Sequence, residues 1–324
     1  MNKHISTIAQ DALRGVPITR DAADQLAAVT GRDVHDLLYW ANRIRHAHHG
    51  NRVSLCSVIS AKQGSCTEDC AFCAQSAHHD TDVETYPLMG TQRILDAARE
   101  AAGIGSSRLG VVTSGESACG SEDWPRIVEA VKALVSDGEI EACASLGSLT
   151  ADAASSLKAA GLKRYHHNLE TSERYFPRIC TTHSFQERVD TVRTAKAAGF
   201  EVCCGGLFGL GESWEDRVDM AFVLRDLDVD SVPLNFLNPI PGTPLENAEP
   251  VPPMDLLKLI ALYRVVLPSK EIRVCGGREV GLRDLQSWMF HAGANGTMIG
   301  NYLTTAGRSA EDDRQMLKDL GLST

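Results

Sequence analysis

The sequence alternates eight times between a short apolar run and a longer amphipathic segment. Short runs rich in β-branched and aromatic residues are typical of strands, and longer segments with apolar residues at helical spacing are typical of helices. Repeated strand–helix units build a parallel sheet, and eight units can close it into a TIM-type (β/α)8 barrel of the α/β class. The predicted strands are 53–59, 108–113, 139–145, 164–168, 201–208, 231–236, 271–275 and 296–300.

Residues 1–50 carry a helical pattern without strands. Thr19 is a suitable N-cap, and apolar residues between 33 and 46 recur at helical spacing. We therefore expect an N-terminal helical extension over residues 1–50, followed by the barrel and its C-terminal helix over 51–324. The alternative is a doubly wound open sheet in two domains. Further predicted helices are 92–102, 124–135, 151–160, 185–198, 214–226, 253–267, 282–290 and 310–320.

Charge and composition narrow the possible partners. The formal net charge of -10 disfavours nonspecific binding to nucleic acids and anionic membranes. The N-terminal segment has no apolar core of the secretory type, and no apolar window is long enough to cross a membrane. We therefore expect a cytoplasmic protein that acts on a small molecule. Ten cysteines in a reducing compartment indicate metal binding more than disulfides.

Three of these cysteines, Cys66, Cys70 and Cys73, stand in the spacing C-x3-C-x2-C directly after the first predicted strand. A zinc ion completed by His78 or His79 is one interpretation. The other is a [4Fe–4S] cluster with three thiolate ligands and one open iron. In a barrel, this loop lies at the C-terminal ends of the strands, where active sites are found.

The loop resembles the signature of radical S-adenosylmethionine (SAM) enzymes, including the aromatic Phe72 before the third cysteine. The resemblance implies that SAM binds the open iron through its amino and carboxylate groups. It also implies that reduction of the cluster cleaves SAM to a 5′-deoxyadenosyl radical, which abstracts hydrogen from carbon. The fourth ligand would then be the cosubstrate.

Longer segments resemble the biotin synthase family in nearly the family's order. They are EACASLG (141–147), YHHNLETS (165–172), CTTHSFQERVDTV (180–192), EVCCGGLFGLGES (201–213), SVPLNFL (231–237), GTPL (242–245), RVCGGRE (273–279) and AGANGTMIGNYLTT (292–305). The resemblance implies conversion of dethiobiotin to biotin, an electron donor such as flavodoxin or ferredoxin, and a homodimer. The rival interpretations are an [FeFe]-hydrogenase maturase-like enzyme, a methylornithine-synthase-like enzyme, and a non-enzymatic zinc or iron–sulfur protein.

The family resemblance assigns SAM to several positions. Asn168 and Glu170 match the ribose-binding positions, with Glu in place of the commoner Asp. Arg188 matches the arginine that pairs with the SAM carboxylate, a task suited to guanidinium. The segment Ser114-Gly115-Glu116 resembles the Gly-Gly-Glu element that holds the amino group.

Four further positions match the substrate site of the family. Asn235 corresponds to the asparagine that bonds the ureido ring of dethiobiotin, although it could also serve as a strand-end cap. Thr304 and Thr305 match the pair that binds the valeryl carboxylate. His166 replaces a second ureido-binding asparagine, and an imidazole can still donate one hydrogen bond.

The auxiliary cluster that supplies sulfur departs from the better-known [2Fe–2S] pattern of three cysteines and an arginine. Cys143, Cys203 and Arg273 match, but the third cysteine position falls on or near Gly110. Cys56 and Cys275 offer two more thiols, so alternate strands carry four cysteines that can share one layer. This resembles the anaerobe-type variant with a four-iron, all-cysteine cluster. The other interpretation of Cys56 and Cys275 is that of small buried core residues.

Overall fold

A computed structural model describes residues 2–324. Its strands are all parallel and form one closed sheet, in the order β5-β4-β3-β2-β1-β9-β8-β7-β6 with a further pairing of β5 with β7. The prediction of a (β/α)8 barrel is therefore confirmed. The strands are β1 Ser54–Lys62, β2 Arg108–Thr113, β3 Glu141–Ser145, β4 Arg164–His166, β5 Glu201–Cys203, β6 Gly206–Phe208, β7 Ser231–Phe236, β8 Glu271–Val274 and β9 Gly296–Met298.

The predicted fifth strand is two segments, β5 and β6, which together occupy one position in the barrel. Both pair with β7, through Cys203 with Ser231 and through Gly206 with Leu234. Between these pairs lies Pro233, which has no N–H group to continue the ladder. The prediction of one uninterrupted strand was wrong for this reason.

Helices surround the barrel, and the bounds of most agree with the predicted segments to within a few residues. They are α1 Lys3–Leu13, α2 Arg20–Ala27, α3 Asp33–His49, α4 Thr91–Gly103, α5 Trp124–Asp137, α6 Ala151–Ala159, α7 Phe185–Ala197, α8 Trp214–Asp226, α9 Pro253–Val266, α10 Arg278–Leu282, α11 Trp288–His291 and α12 Ala310–Asp319. Short 3₁₀ turns lie at Phe176–Arg178 and Arg283–Leu285.

The predicted helix 282–290 was wrong as one element. Helix α10 ends at Leu282 because Arg283 has a positive φ of 50°, outside the right-handed helical region. The chain continues as a 3₁₀ turn, and α11 then begins at Trp288.

The N-terminal helices pack on the helical layer of the barrel. The Thr19 hydroxyl accepts a hydrogen bond from the Ala22 backbone N–H at 3.2 Å, which confirms the predicted cap of α2. The buried ammonium of Lys258, on α9, donates to the carbonyls of Ala27 at 2.9 Å and Val29 at 3.0 Å. These bonds tie the end of α2 to the barrel.

Strand β1 extends three residues beyond its predicted end, to Lys62. The cysteine loop therefore starts only four residues after the strand, at the C-terminal edge of the barrel. Within residues 2–324, no helix combines the length and the apolar character needed to span a bilayer.

The break between β5 and β6 makes Gly205 a sensitive position. A Cβ atom there would lie 1.9 Å from the carbonyl oxygen of Pro233. We expect Gly205→Ala to lower the free energy of unfolding by about 1–3 kcal/mol, because the buried backbone must shift.

The matched control is Gly103→Ala, since that exposed glycine of α4 has no atom within 4 Å of its Cβ position. It should be neutral or stabilising by up to about 1 kcal/mol. Urea unfolding of both variants measures the difference, and equal midpoints would contradict the steric argument.

Candidate active site

Two adjoining cavities lie at the C-terminal side of the barrel. The loop cavity, of about 210 Å³, is lined by the cysteine loop and by residues after β2 and β4. The barrel cavity, of about 330 Å³, reaches between the strands. Both cavities are lined by Phe72, Val112, Ser145, His166, Asn168 and Glu170.

The loop cavity brings the three predicted cluster ligands to one wall, since Cys66, Cys70 and Cys73 all line it. The loop is folded by its own backbone: Cys66 N–H donates to Gln75 at 3.0 Å, and Ala77 N–H donates back to the Cys66 carbonyl at 2.7 Å. This closed turn holds the first and last cysteine of the motif near each other.

The two histidines after the motif take another role. His78 Nε2 bonds the carbonyl of Thr67 at 2.9 Å, and His79 Nε2 bonds the carbonyl of Cys70 at 3.1 Å. These bonds leave only Nδ1 of each ring with a lone pair for a metal. In the described chain neither histidine lines the loop cavity, and neither belongs to a group of three potential ligands within 4.8 Å of one another, which disfavours zinc with either histidine as fourth ligand.

Arg188 lines the loop cavity together with the three cysteines. Its Nε donates to His183 Nε2 at 2.9 Å, and its Nη1 donates to the Asn168 carbonyl at 2.9 Å. Glu170 Oε1 lies 3.8 Å from Nη1. Two of the five guanidinium donors are thus used to orient the group, and the others remain for a carboxylate ligand.

Asn168 and Glu170 follow β4 and line both cavities. Asn168 Oδ1 accepts from the Gly205 N–H at 3.2 Å, and its Nδ2 lies 3.4 Å from Glu170 Oε2. Glu170 has a φ of 68°, a left-handed conformation that is costly for a side chain with a Cβ. Such strain, found at a cavity wall, is typical of functional positions.

The segment Ser114-Gly115-Glu116 also lines the loop cavity. Ser114 Oγ donates to the Gly64 carbonyl at 2.8 Å, which joins this segment to the start of the cysteine loop. Gly115 has a φ of 118°, a conformation open to glycine but not to other residues. The structure therefore places every predicted SAM-binding residue around the loop cavity.

The barrel cavity is lined by all four predicted auxiliary ligands, Cys56, Cys143, Cys203 and Cys275. Cys204 does not line it within the described chain and lies in the apolar core, as strand alternation predicts. The neighbouring Cys275 thiol and Arg273 lower the pKa of Cys56 to about 6, whereas burial raises the pKa of Cys143 and Cys203.

The distances between potential ligands test whether either cysteine set forms a site for a single metal ion. Four sulfurs around one zinc ion lie about 3.8 Å apart, given Zn–S bonds of about 2.3 Å. Among residues 2–324, the one group of three potential ligands within 4.8 Å of one another is Cys70, Cys180 and His183. Among the described residues, neither predicted cysteine set therefore has three thiols at the compact spacing of a mononuclear site.

Arg273 supplies a further test of this fit. Its Nη2 donates to Ser54 Oγ and to Glu271 Oε1, both at 2.7 Å. Its Nε and Nη1 are buried, and in the described chain neither has a hydrogen-bond partner. Buried donors of this kind are costly unless an acceptor is bound. An anionic sulfide cluster held by the surrounding thiolates would satisfy them.

The predicted substrate residues also line the barrel cavity. Asn235 acts as a bridge between strands, because its Nδ2 donates to the Gly206 carbonyl at 3.1 Å and its Oδ1 accepts from Gly276 N–H at 3.0 Å. The Asn235 Nδ2 keeps a second N–H to donate, and its Oδ1 keeps a second lone pair to accept a hydrogen bond. Thr304 and Thr305 lie on the loop after β9. Burial lowers the pKa of His166, which favours a neutral imidazole.

Sequence reasoning missed two residues beside the cysteine loop. Cys180 Sγ lies 3.8 Å from Cys70 Sγ and 3.3 Å from His183 Nδ1. His183 also lines the loop cavity and bonds the Glu68 carboxylate. The string CTTH at 180–183, placed just before the helix that carries Arg188, was the available signal. Its separation of 110 residues from Cys70 hid the contact.

Two family models match the chain. Residues 62–224 match the radical SAM superfamily, and residues 233–323 match the biotin and thiamin synthesis associated domain. The first covers the cysteine loop and the SAM-binding positions, and the second covers the strands and loops that carry Asn235, Arg273 and Thr304.

Solved structures show the same fold at low identity. A methylornithine synthase structure has a TM-score of 0.84 at 22% identity and covers 98% of this chain and 96% of that one. The FeFe-hydrogenase maturase HydG from Carboxydothermus hydrogenoformans has a TM-score of 0.82 at 19% identity, over 99% of this chain and 79% of that one. These likenesses concern the barrel alone.

Curated relatives match the whole chain at much higher identity. Biotin synthase from Geobacter sulfurreducens is 53% identical over 323 residues, which covers 100% of this chain and 98% of the relative. Biotin synthase from Syntrophus aciditrophicus is 46% identical over 320 residues, 98% of each. With the radical SAM match and the cysteine-lined cavities, these relatives show that the chain belongs to the biotin synthase family of radical SAM enzymes.

Proposed function

We propose that this chain converts dethiobiotin to biotin by inserting sulfur between two carbon atoms, with sulfur taken from an auxiliary iron–sulfur cluster. One observation carries the proposal: four thiols from alternate barrel strands line a cavity that adjoins the loop cavity of the radical SAM motif. A radical generated at the loop and a sulfur source deeper in the barrel can then act on one bound substrate.

The residues of the loop cavity would hold the first cofactor pair. Cys66, Cys70 and Cys73 would bind a [4Fe–4S] cluster, and Arg188, Asn168, Glu170 and Ser114–Glu116 would bind SAM. When bound and reduced, these cofactors supply a radical that abstracts hydrogen, and the auxiliary cluster supplies sulfur. Phe72 would pack beside both cavities and limit the access of water.

Cys56, Cys143, Cys203 and Cys275 would hold the auxiliary cluster, and we favour a four-iron type over a [2Fe–2S] cluster. A four-iron cluster can take one thiol for each iron and would use all four cysteines of the cavity, whereas the smaller cluster takes only three thiols. Arg273 would donate its two unpartnered N–H groups to the cluster rather than complete the ligand set alone. This assigns Arg273 a catalytic contact with the sulfur source.

Dethiobiotin would lie in the barrel cavity between the two cofactors. Asn235 and the neutral His166 would bond the ureido ring, and Thr304 and Thr305 would bind the carboxylate near the cavity mouth. The apolar side chains of Leu207 and Met298 line the same space and would hold the alkyl part of the substrate.

We further propose a cytoplasmic enzyme that receives electrons from flavodoxin or ferredoxin and acts as a homodimer, because these properties accompany the family resemblance. Residues 1–50 would serve as a helical extension of the barrel domain at 51–324. The net charge of -10 supports the expectation that nucleic acids and membranes are not partners.

Iron counting tests the auxiliary site. After anaerobic reconstitution, we expect about eight irons per chain and biotin formation in a single turnover. Cys143→Ser should retain about four irons, those of the loop, and form no biotin. Cys204→Ser is the matched control, because that neighbouring thiol lies outside the cavity.

The same experiment can overturn the ligand set. About six irons in the unaltered chain would indicate a two-iron auxiliary cluster. Full iron content and full biotin yield in both Cys56→Ser and Cys275→Ser would show that these thiols are core residues. SAM cleavage without any biotin would contradict the proposed reaction.

Arg188 provides a separate test of the SAM site. We expect Arg188→Gln to weaken SAM binding by about 10- to 100-fold, because hydrogen bonds to charged groups contribute about 1.5–3 kcal/mol. Equilibrium dialysis against SAM without reductant measures the affinity. Arg193→Gln, an exposed change on the same helix, should bind normally. Equal affinity in both variants, at equal iron content, would remove Arg188 from the site.

A further inference from the structure

Cys180 is a buried thiol outside the cysteine motif, and it contacts one of the motif's sulfurs. It lies 3.8 Å from Cys70 Sγ and is 4% exposed. It is not among the residues that line the loop cavity in the described chain. Cys180 therefore touches a ligand sulfur from outside, where neither SAM nor the open iron is expected.

The segment that carries Cys180 is fastened to the cysteine loop. Ala71 N–H donates to the Ile179 carbonyl at 2.8 Å. On the other side, the Asp69 carboxylate accepts from the backbone N–H groups of Thr181 at 2.9 Å and Thr182 at 3.3 Å. Because bonds flank Cys180 on both sides, its contact with Cys70 is held by the fold.

The tautomer of His183 determines how its ring can interact with Cys180. Arg188 Nε always carries a proton and donates to His183 Nε2, so the ring proton is on Nδ1. That nitrogen faces both the Glu68 carboxylate and Cys180 Sγ. An N–H cannot ligate a metal, so Cys70, Cys180 and His183 form a hydrogen-bonded group despite their compact spacing.

Iron binding decides which sulfur donates. In the chain without iron, the Cys70 thiol donates to Cys180. Once Cys70 is an iron-bound thiolate it has no proton to give, and two adjacent thiolates would repel each other. The donor role then passes to the Cys180 S–H, with His183 N–H bonded to its sulfur.

We propose that Cys180 is a positioning residue that donates an S–H···S hydrogen bond to the Cys70 ligand and so raises the reduction potential of the radical SAM cluster. Hydrogen bonds to cluster sulfurs stabilise the more negative, reduced state. This inference rests on the proposed assignment of Cys70 as an iron ligand, and it adds a residue that controls how easily the cluster accepts its electron.

The test is a redox titration of the reconstituted full chain, followed by the SAM-sensitive EPR signal of the reduced cluster. For Cys180→Ala, we expect the ratio of reduced to oxidised cluster at a fixed potential to fall by about fivefold, the value of one net hydrogen bond. Cys180→Ser should restore most of this ratio, because a hydroxyl can also donate a hydrogen bond to the Cys70 sulfur. Cys119→Ala, which removes a half-buried thiol elsewhere, should titrate as the unaltered chain does.

An unchanged potential in Cys180→Ala, or an equal loss in the Ala and Ser variants, would overturn the hydrogen-bond role. If the Ala variant does not assemble the cluster, pulsed EPR of the unaltered chain and of Cys180→Ser provides the test. After exchange into D2O, the coupling of an exchangeable deuteron to the cluster should differ between these two proteins. Identical couplings would overturn the proposal. Cys70→Ser keeps the two hypotheses apart, since a full cluster signal in that variant would contradict the ligand assignment itself.

Discussion

Three arginines that line the barrel cavity, Arg108, Arg164 and Arg273, meet at one half-buried carboxylate, that of Glu271, where β8 begins. It accepts from Arg164 at 2.9 Å and from Arg273 at 2.7 Å, and Arg108 lies 3.6 Å away. Burial alone would raise the pKa of Glu271, but the guanidinium groups hold it well below its usual range. Glu201 also pairs with Arg164 at 2.8 Å, and Glu141 lies 3.4 Å from Arg108, so three carboxylates balance the three guanidinium groups.

Side-chain packing accounts for the missing third cysteine of the smaller cluster. Gly110 pairs with Cys143 on one side and with Val58 on the other. A Cβ at Gly110 would lie 3.2 Å from Val58 Cγ1, so a cysteine there would need its neighbour to move. The absence of that thiol and the packing of Val58 are therefore linked. Cys56, two residues before Val58, faces the cavity instead.

Periodicity and order along the chain were enough to predict the barrel and the position of the cysteine loop, and they place Cys56, Cys143, Cys203 and Cys275, all of which line one cavity, on alternate strands. They could not show that Pro233 would divide the fifth strand, because the missing N–H matters only once its partner strand is known. The sequence offered Asn235 as a substrate-binding residue or a strand-end cap, whereas its amide bonds the backbone at Gly206 and at Gly276. Nothing local in the sequence around Cys180 indicates its contact with Cys70, which lies 110 residues away in the chain.

The position of the Glu170 side chain, between the two cavities, depends on the backbone of the neighbouring strand β6. Glu170 keeps its left-handed conformation because Leu207 N–H donates to its carbonyl at 2.8 Å. That bond brings Gly206 so close that a Cβ there would lie 2.4 Å from the same oxygen. A glycine at 206 is thus needed for a strained glutamate at 170. The strain is held by β6, and its result is a carboxylate that faces both the proposed SAM site and the proposed substrate site.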